Sequence, residues 1–176
     1  MATILKKAVK NRYLAVNPCE QVARKTPHRK QKAKPLALEL IPQLLQSVGA
    51  KFRIVIWIGL YTGMRPGEIL GLTIDRIDFN KGLIRIDRQI VRDSRALFGK
   101  LKTAASYRTI PLHPELAVLI REHVTLYGTG PQGLIVTGRG GRELRYRSAR
   151  LIFANAARSL GLPAGVGLHV LRHTFV

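Results

Sequence analysis

Apolar residues recur at helical spacing along most of this chain. Runs with apolar positions three and four residues apart predict helices at residues 4–16, 38–48, 52–61, 66–72, 114–127 and 146–160. The run over residues 52–61 is apolar on nearly every side, so we expect it to be the buried helix. Pro66 suits the first turn of the helix that it begins.

Apolar and polar residues alternate with a period of two in three shorter stretches. Residues 74–79 and 83–91 alternate on either side of Asn80-Lys81-Gly82, which is a hairpin signal, and residues 106–112 supply a third strand. The predicted fold class is therefore α+β, mainly α, with a small three-stranded antiparallel sheet.

The net charge narrows the class of partner. Thirty Lys and Arg residues against ten Asp and Glu give a net charge of +20, which favours a polyanion, above all nucleic acid. An acidic membrane surface is the competing partner, but the chain has no amphipathic basic helix beside a lipid anchor signal. The most apolar run, residues 54–60, is too short to span a bilayer.

Cysteine content and the N-terminal sequence bear on the compartment. Cys19 is the single cysteine, so no disulfide forms within the chain, and a reducing cytosol suits it. The first ten residues lack the apolar core of a signal peptide. We expect a soluble, cytoplasmic protein.

The chain divides at a basic stretch near its start. Residues 24–35 are almost all basic or small and offer nothing apolar to bury, so residues 24–36 are interpreted as a linker. A solvated tail and a strap that follows DNA fit this stretch equally well. Since 176 residues suffice for one domain with a short appendage, the main domain is expected at residues 37–176 and the appendage at residues 1–23.

Three motifs carry candidate chemistry. They are the segment Thr62-Gly63-Met64-Arg65-Pro66-Gly67-Glu68, the stretch from Leu101-Lys102-Thr103 to Leu112, and His169-Val170-Leu171-Arg172. In this order and spacing they resemble the phage-integrase-type tyrosine recombinases, and the resemblance covers roughly residues 37–176. It implies the catalytic domain of DNA breaking-rejoining enzymes and a double-stranded DNA partner.

The resemblance also implies roles for individual residues. Arg65 and Arg172 would bind the non-bridging oxygens of a phosphodiester, where charge develops during transesterification. Lys102 would be the general acid, His169 would assist proton transfer or bind phosphate, and Glu68 would hold Arg65 in place. The family uses no metal or other cofactor. Beside these motifs, the linker's basic residues become candidate DNA contacts: Arg24, Lys25, Arg29, Lys30, Lys32 and Lys34.

Two assignments within these motifs have alternatives. Lys100 lies two residues before Lys102, on the same face of a strand, and could be the acid instead. His169 and His173 stand four apart like metal ligands, but Val170 occupies the position where a zinc-protease motif requires Glu. We therefore expect His173 to support the site by packing or bonding locally.

The expected nucleophile is missing from this sequence. The five tyrosines all precede Arg172, whereas the family's nucleophile follows it: Tyr13, Tyr61, Tyr107, Tyr127 and Tyr146. We therefore expect a C-terminally truncated catalytic domain in which Val170, Leu171 and Phe175 lack covering partners, and a marginal or aggregation-prone fold. Residues 1–23 resemble the last helix of an otherwise missing DNA-clamping domain.

Three functions compete on these grounds. The favoured hypothesis is a recombinase remnant that binds DNA without cutting it. The second is a subunit that supplies Arg65, Lys102 and Arg172 to the tyrosine of an intact recombinase protomer. The third, a non-enzymatic basic nucleic-acid-binding protein, explains the charge but not the three motifs.

Overall fold

The structure is a computed structural model that describes residues 2–19, 34–91, 96–101 and 103–175. The chain forms two compact units, Met1–Lys32 and Ala33–Val176. None of the described helices is long and apolar enough to cross a membrane.

The described part of the first unit, residues 2–19, contains one helix, α1 (Ala2–Lys10). The sequence predicts this helix as far as Val16, which is wrong. Arg12 adopts a left-handed conformation with φ of 59°, and its backbone N–H bonds to the carbonyl of Val9. The N–H of Tyr13 bonds to the carbonyl of Ala8, so the pair of bonds satisfies the last carbonyls and ends the helix.

Six α-helices lie in the described part of the second unit: α2 (Ile41–Ser47), α3 (Arg53–Thr62), α4 (Pro66–Leu70), α5 (Pro114–Tyr127), α6 (Tyr146–Ser159) and α7 (His169–Thr174). The predicted helices over residues 38–160 are confirmed, with ends that differ by at most three residues. Short 3-10 turns at Leu38–Leu40 and Ala50–Phe52 precede α2 and α3.

The predicted three-stranded antiparallel sheet is confirmed. Its order is β1 (Ile77–Asp78), β2 (Leu83–Ile86) and β5 (Arg108–Pro111), with Ile86 opposite Arg108. A separate two-stranded hairpin pairs β3 (Gln89–Ile90) with β4 (Phe98–Gly99).

Two of the predicted strands are interrupted. Residues Ile74–Arg76 form a 3-10 turn rather than the start of a strand. The strand predicted over residues 83–91 is interrupted at residues 87–88, between β2 and β3. The carboxylate of Asp87 pairs there with three guanidinium groups: Arg76, Arg85 and Arg88. The alternation of apolar residues does not predict these ion pairs.

The core is built around α3, as its all-round apolar sequence predicts. Val55, Ile56 and Ile58 are fully buried, and α3 packs against α4, α5 and α7. This arrangement fixes α7 and the start of α4 against the same helix.

Helix α7 is covered better than its sequence suggests. The expectation that Val170 and Leu171 lack covering partners is wrong, because their exposures are 3% and 0%. Leu171 lies where Gly59 of α3 has no side chain, since a Cβ added there would be 2.9 Å from the Leu171 Cβ. Phe175 is 52% exposed, although its ring lies against Gly63.

Candidate functional site

Arg65 is placed by the turn that joins α3 to α4. Gly63 ends α3 with φ of 57°, a left-handed conformation that suits glycine, and its N–H bonds to the carbonyl of Gly59 at 3.1 Å. A Cβ on Gly63 would also meet the ring of Phe175 at 3.0 Å. Pro66 then begins α4, which leaves Arg65 as the extended residue before the helix, with its side chain 43% exposed.

Glu68 holds Arg65 from the first turn of α4. One carboxylate oxygen, Oε2, accepts the backbone N–H of Arg65 at 3.0 Å, and the other, Oε1, accepts Nη1 of the Arg65 guanidinium at 3.0 Å. The side chain of Glu68 is only 1% exposed. Glu68 therefore contacts Arg65 through both of its carboxylate oxygens, as the predicted support of Arg65 requires.

A second arginine, from β5, completes the coordination of Glu68. Arg108 Nη2 lies 2.9 Å from Oε2, and Arg108 Nη1 lies 3.4 Å from Oε1. Burial raises the pKa of the Glu68 carboxyl, but the hydrogen bonds from Arg108 and Arg65 outweigh it, so the pKa lies below its ordinary value. The carboxylate is therefore charged at neutral pH.

Ser106 connects Arg65 to the segment in which the candidate acid lies. Its hydroxyl accepts Arg65 Nη1 at 3.3 Å and lies 2.9 Å from the hydroxyl of Thr103. Lys102, the residue before Thr103, lies outside the described residues. The alternative acid, Lys100, is exposed, and its carbonyl accepts the side-chain amide of Gln89 at 2.7 Å.

The third motif brings another arginine, Arg172, to the turn between α3 and α4 that carries Arg65. Arg172 lies on α7, and its Nη1 donates to the carbonyl of Gly63, two residues before Arg65. Arg65 and Arg172 are 107 positions apart in the sequence, and the packing of α7 against α3 brings both to the turn formed by residues 63–65.

The two histidines of this motif lie on the surface. His169 begins α7, and both His169 and His173 are exposed. In the part of the chain that the structure describes, no three His, Cys, Asp or Glu side chains come together as metal ligands would.

The predicted DNA contacts of the linker fall almost entirely outside the described residues. This holds for Arg24, Lys25, Arg29, Lys30 and Lys32. Lys34 is described, and it is exposed.

Sequence reasoning missed a basic surface that precedes and begins α6. Five arginines within twelve residues are exposed there, and we call them the arginine surface: Arg139, Arg142, Arg145, Arg147 and Arg150. The single acid among them, Glu143, has its Oε1 4.0 Å from Arg145 Nε. The density of arginine in this stretch was the available signal.

The model of the phage integrase family matches residues 33–176. The chain belongs to the phage integrase family. An integrase of Mycobacterium phage D29 is 25% identical over 98% of this chain and 47% of its own length. The tyrosine recombinase XerD of Mycobacterium tuberculosis is 30% identical over 85% of this chain and 49% of its own length. This phage integrase family chain thus spans about half the length of the curated relatives that it matches.

Solved structures of two integrases share the fold of this chain. The Tn1549 transposon integrase in complex with a circular intermediate DNA superposes with a TM-score of 0.82 at 20% identity, over 99% of this chain and 62% of that one. A lambda integrase dimer bound to a COC′ core site gives a TM-score of 0.71 at 15% identity, over 98% and 47%. The α+β catalytic-domain fold is therefore confirmed.

Proposed function

We propose that residues 37–176 form a phosphodiester-binding recombinase domain that grips double-stranded DNA and needs a tyrosine from outside these 176 residues to cut it. In this proposal, residues 1–23 end a DNA-clamping domain and residues 24–36 link the two. The observation that carries the proposal is the arrangement of two arginines at one turn, with Arg65 fixed by Glu68 and still 43% exposed.

The chemistry of transesterification explains why two arginines would meet there. The five-coordinate transition state at phosphorus places extra negative charge on the non-bridging oxygens, and a guanidinium presents several donors in a fixed plane to such oxygens. An arginine also stays charged at every working pH, which a lysine in the same place would not guarantee. We assign oxygen binding to Arg65 and Arg172, protonation of the leaving 5′-oxygen to Lys102, and proton transfer or phosphate binding to His169.

Contacts with the DNA backbone would extend beyond this pocket. The net charge of +20 and the arginine surface support phosphate contacts at several positions along a duplex. The Tn1549 integrase and the lambda integrase are bound to DNA in their structures, which supports the same class of partner. We propose binding that depends strongly on salt and weakly on sequence.

The nucleophile decides whether cleavage occurs. No tyrosine follows Arg172 in these 176 residues, and all five precede it. The polypeptide by itself would therefore bind DNA without forming a covalent adduct. In a second candidate function the pocket serves the tyrosine of an intact protomer, and the hydrogen bonds of Glu68 to Arg65 and Arg108 support the ordered arginine that such a pocket requires.

Mixing this chain with a partner recombinase tests the second function. The partner keeps its tyrosine but has its own pocket arginines replaced, and the DNA carries a 5′-bridging phosphorothiolate, which traps the covalent intermediate. Adducts on the partner that require this chain, and that disappear with Arg65→Ala and Arg172→Ala, would establish a pocket acting in trans. If no adduct forms while DNA is bound, the chain only grips DNA.

The same variants separate both functions from the non-enzymatic alternative. For a basic structural protein, replacing Arg65 and Arg172 would lower DNA affinity by no more than replacing any other two exposed arginines. For a pocket, their loss would abolish trapping in the mixture while leaving most of the affinity in place.

A further inference from the structure

We propose that Arg108 is a positioning residue that fixes the Arg65 guanidinium through Glu68 and so keeps its free edge available to a phosphate. Its role in the reaction rests on the proposed function. The contact geometry on which it stands is independent of that function.

The Glu68 carboxylate is shared evenly between two arginines. Each of its oxygens accepts one donor from Arg65 and one from the fork of Arg108: Oε1 accepts the two Nη1 atoms, and Oε2 accepts the Arg65 backbone N–H and Arg108 Nη2. A carboxylate offers about four lone-pair sites, so Glu68 is fully satisfied. A buried charge with fewer partners would be costly.

Because Arg108 also binds Glu68, Arg65 uses one guanidinium nitrogen to bind this carboxylate. The Nη1 of Arg65 donates hydrogen bonds to Glu68 and to Ser106. Within the described part of the chain, the other two guanidinium nitrogens of Arg65, Nε and Nη2, make no hydrogen bond. Without Arg108, the under-satisfied carboxylate would draw further donors from Arg65. Those are the donors that a phosphate oxygen needs.

Arg108 also fixes the second contact of Arg65. Its Nη1 donates to the backbone carbonyl of Ser106 at 3.0 Å, and the hydroxyl of Ser106 accepts Arg65 Nη1 at 3.3 Å. Arg108 lies opposite Ile86 in the sheet, so its backbone is held by β2. One residue of a regular strand therefore orients both partners of Arg65.

The test measures the order of the Arg65 side chain in the 176-residue protein. With arginine labelled by ¹⁵N, the Nε–Hε signal of Arg65 is assigned by its absence from Arg65→Lys. In Arg108→Gln we expect the order parameter of this group to fall from its value in the unmodified protein to below about 0.6, the range of flexible groups. Arg108→Lys keeps the charge without the fork, so its value should lie between the two.

Arg85→Gln is the matched control. Arg85 is on the neighbouring strand β2 and pairs with a different acid, Asp87, with Arg85 Nε 3.2 Å from Asp87 Oδ2. The control should leave the Arg65 signal unchanged. An Arg65 order parameter that stays unchanged in a folded Arg108→Gln or Arg108→Lys protein would overturn the proposal. If the glutamine variant does not fold, the lysine variant decides.

A DNA titration of the same samples separates this inference from the proposed function. A short duplex should shift the Arg65 Nε–Hε signal of the unmodified protein. If no shift occurs, the phosphate contact fails while the order comparison still decides the role of Arg108. In the mixture that traps adducts, Arg108→Gln should slow trapping about 100-fold, as a misplacement of about 1 Å does, with less than a twofold change in DNA affinity.

Discussion

Single residues explain why the candidate site is ordered at all. Glu68 is found from sequence, because it stands one helical turn after Arg65 and such pairs meet on a helix. Arg108 is missed, because it lies 40 positions further on among 30 basic residues, and nothing local shows which of them reaches Glu68. Only the pairing of β5 with β2 places it.

Replacing Glu68 with Gln should destabilise the protein. The amide keeps the shape but loses the charge that both arginines use, and hydrogen bonds to charged groups contribute about 1.5–3 kcal/mol. We expect the free energy of unfolding at pH 7, measured with urea, to fall by about 2 kcal/mol. Glu143→Gln, at a more exposed acid 4.0 Å from Arg145, should change it by less than about 0.5 kcal/mol.

The stability difference between the native protein and Glu68→Gln should depend on pH. The folded-state pKa of Glu68 is lowered, so its contribution is complete above the unfolded value of about 4.3 and is lost as the pH falls through the lower folded value. Urea titrations from pH 7 to pH 3 should give a constant difference down to about pH 4.3 and a shrinking one below it. A difference that already shrinks between pH 7 and pH 5 would contradict the lowered pKa.

Some secondary-structure elements are predicted by the sequence, and others are not. Helix α3 is predicted because ten consecutive residues are almost all apolar, and α5 is predicted with its observed ends, Pro114 and Tyr127. The break at Asp87 is not predicted, and the ion pair of Asp87 with Arg76, 11 residues earlier, forms only when the chain folds. The cover on α7 is missed for the same reason, since the gap at Gly59 that receives Leu171 exists only after folding.

The contact between α3 and α7 predicts the effect of a single methyl group. In Gly59→Ala the new Cβ would lie 2.9 Å from the Leu171 Cβ, so α7 must shift. Overpacking of this kind costs about 1–3 kcal/mol, more than the gain of roughly 0.5–1 kcal/mol from replacing a helical glycine. Urea unfolding should therefore show a net loss.

The control for this effect is Gly49→Ala. Nothing lies within 4 Å of a Cβ at Gly49, so this change should be neutral or slightly stabilising. Equal losses in the two variants would show that the close approach of Leu171 does not limit α7.

At the scale of the whole molecule, charge predicts the class of partner but not where it binds. The excess of basic residues is visible in composition, and the linker was the natural place to locate DNA contacts. The arginine surface is recognised only when all five side chains are seen to be exposed around the start of α6. Composition carries no information about which of 30 basic residues share a face.

Replacing Arg147 and Arg150 together with Ala should weaken DNA binding through phosphates. Each lost contact lowers the slope of log K against log salt by about 0.9, so the double variant should lose about 1.8. Fluorescence anisotropy with a labelled duplex at several salt concentrations measures this slope. Arg85→Ala, at an arginine outside the arginine surface whose Nε lies 3.2 Å from Asp87, should lower the slope by less than the double variant does.

The central claim is that these residues hold a phosphodiester site whose tyrosine comes from elsewhere. Its most direct test is to incubate the 176-residue protein alone with duplexes that carry 5′-bridging phosphorothiolates and to separate the products on a denaturing gel. We predict salt-sensitive binding of these duplexes and no covalent adduct. An adduct on this chain alone would show that one of its five tyrosines is the nucleophile and would contradict the account, as would a failure to bind the duplexes at low salt.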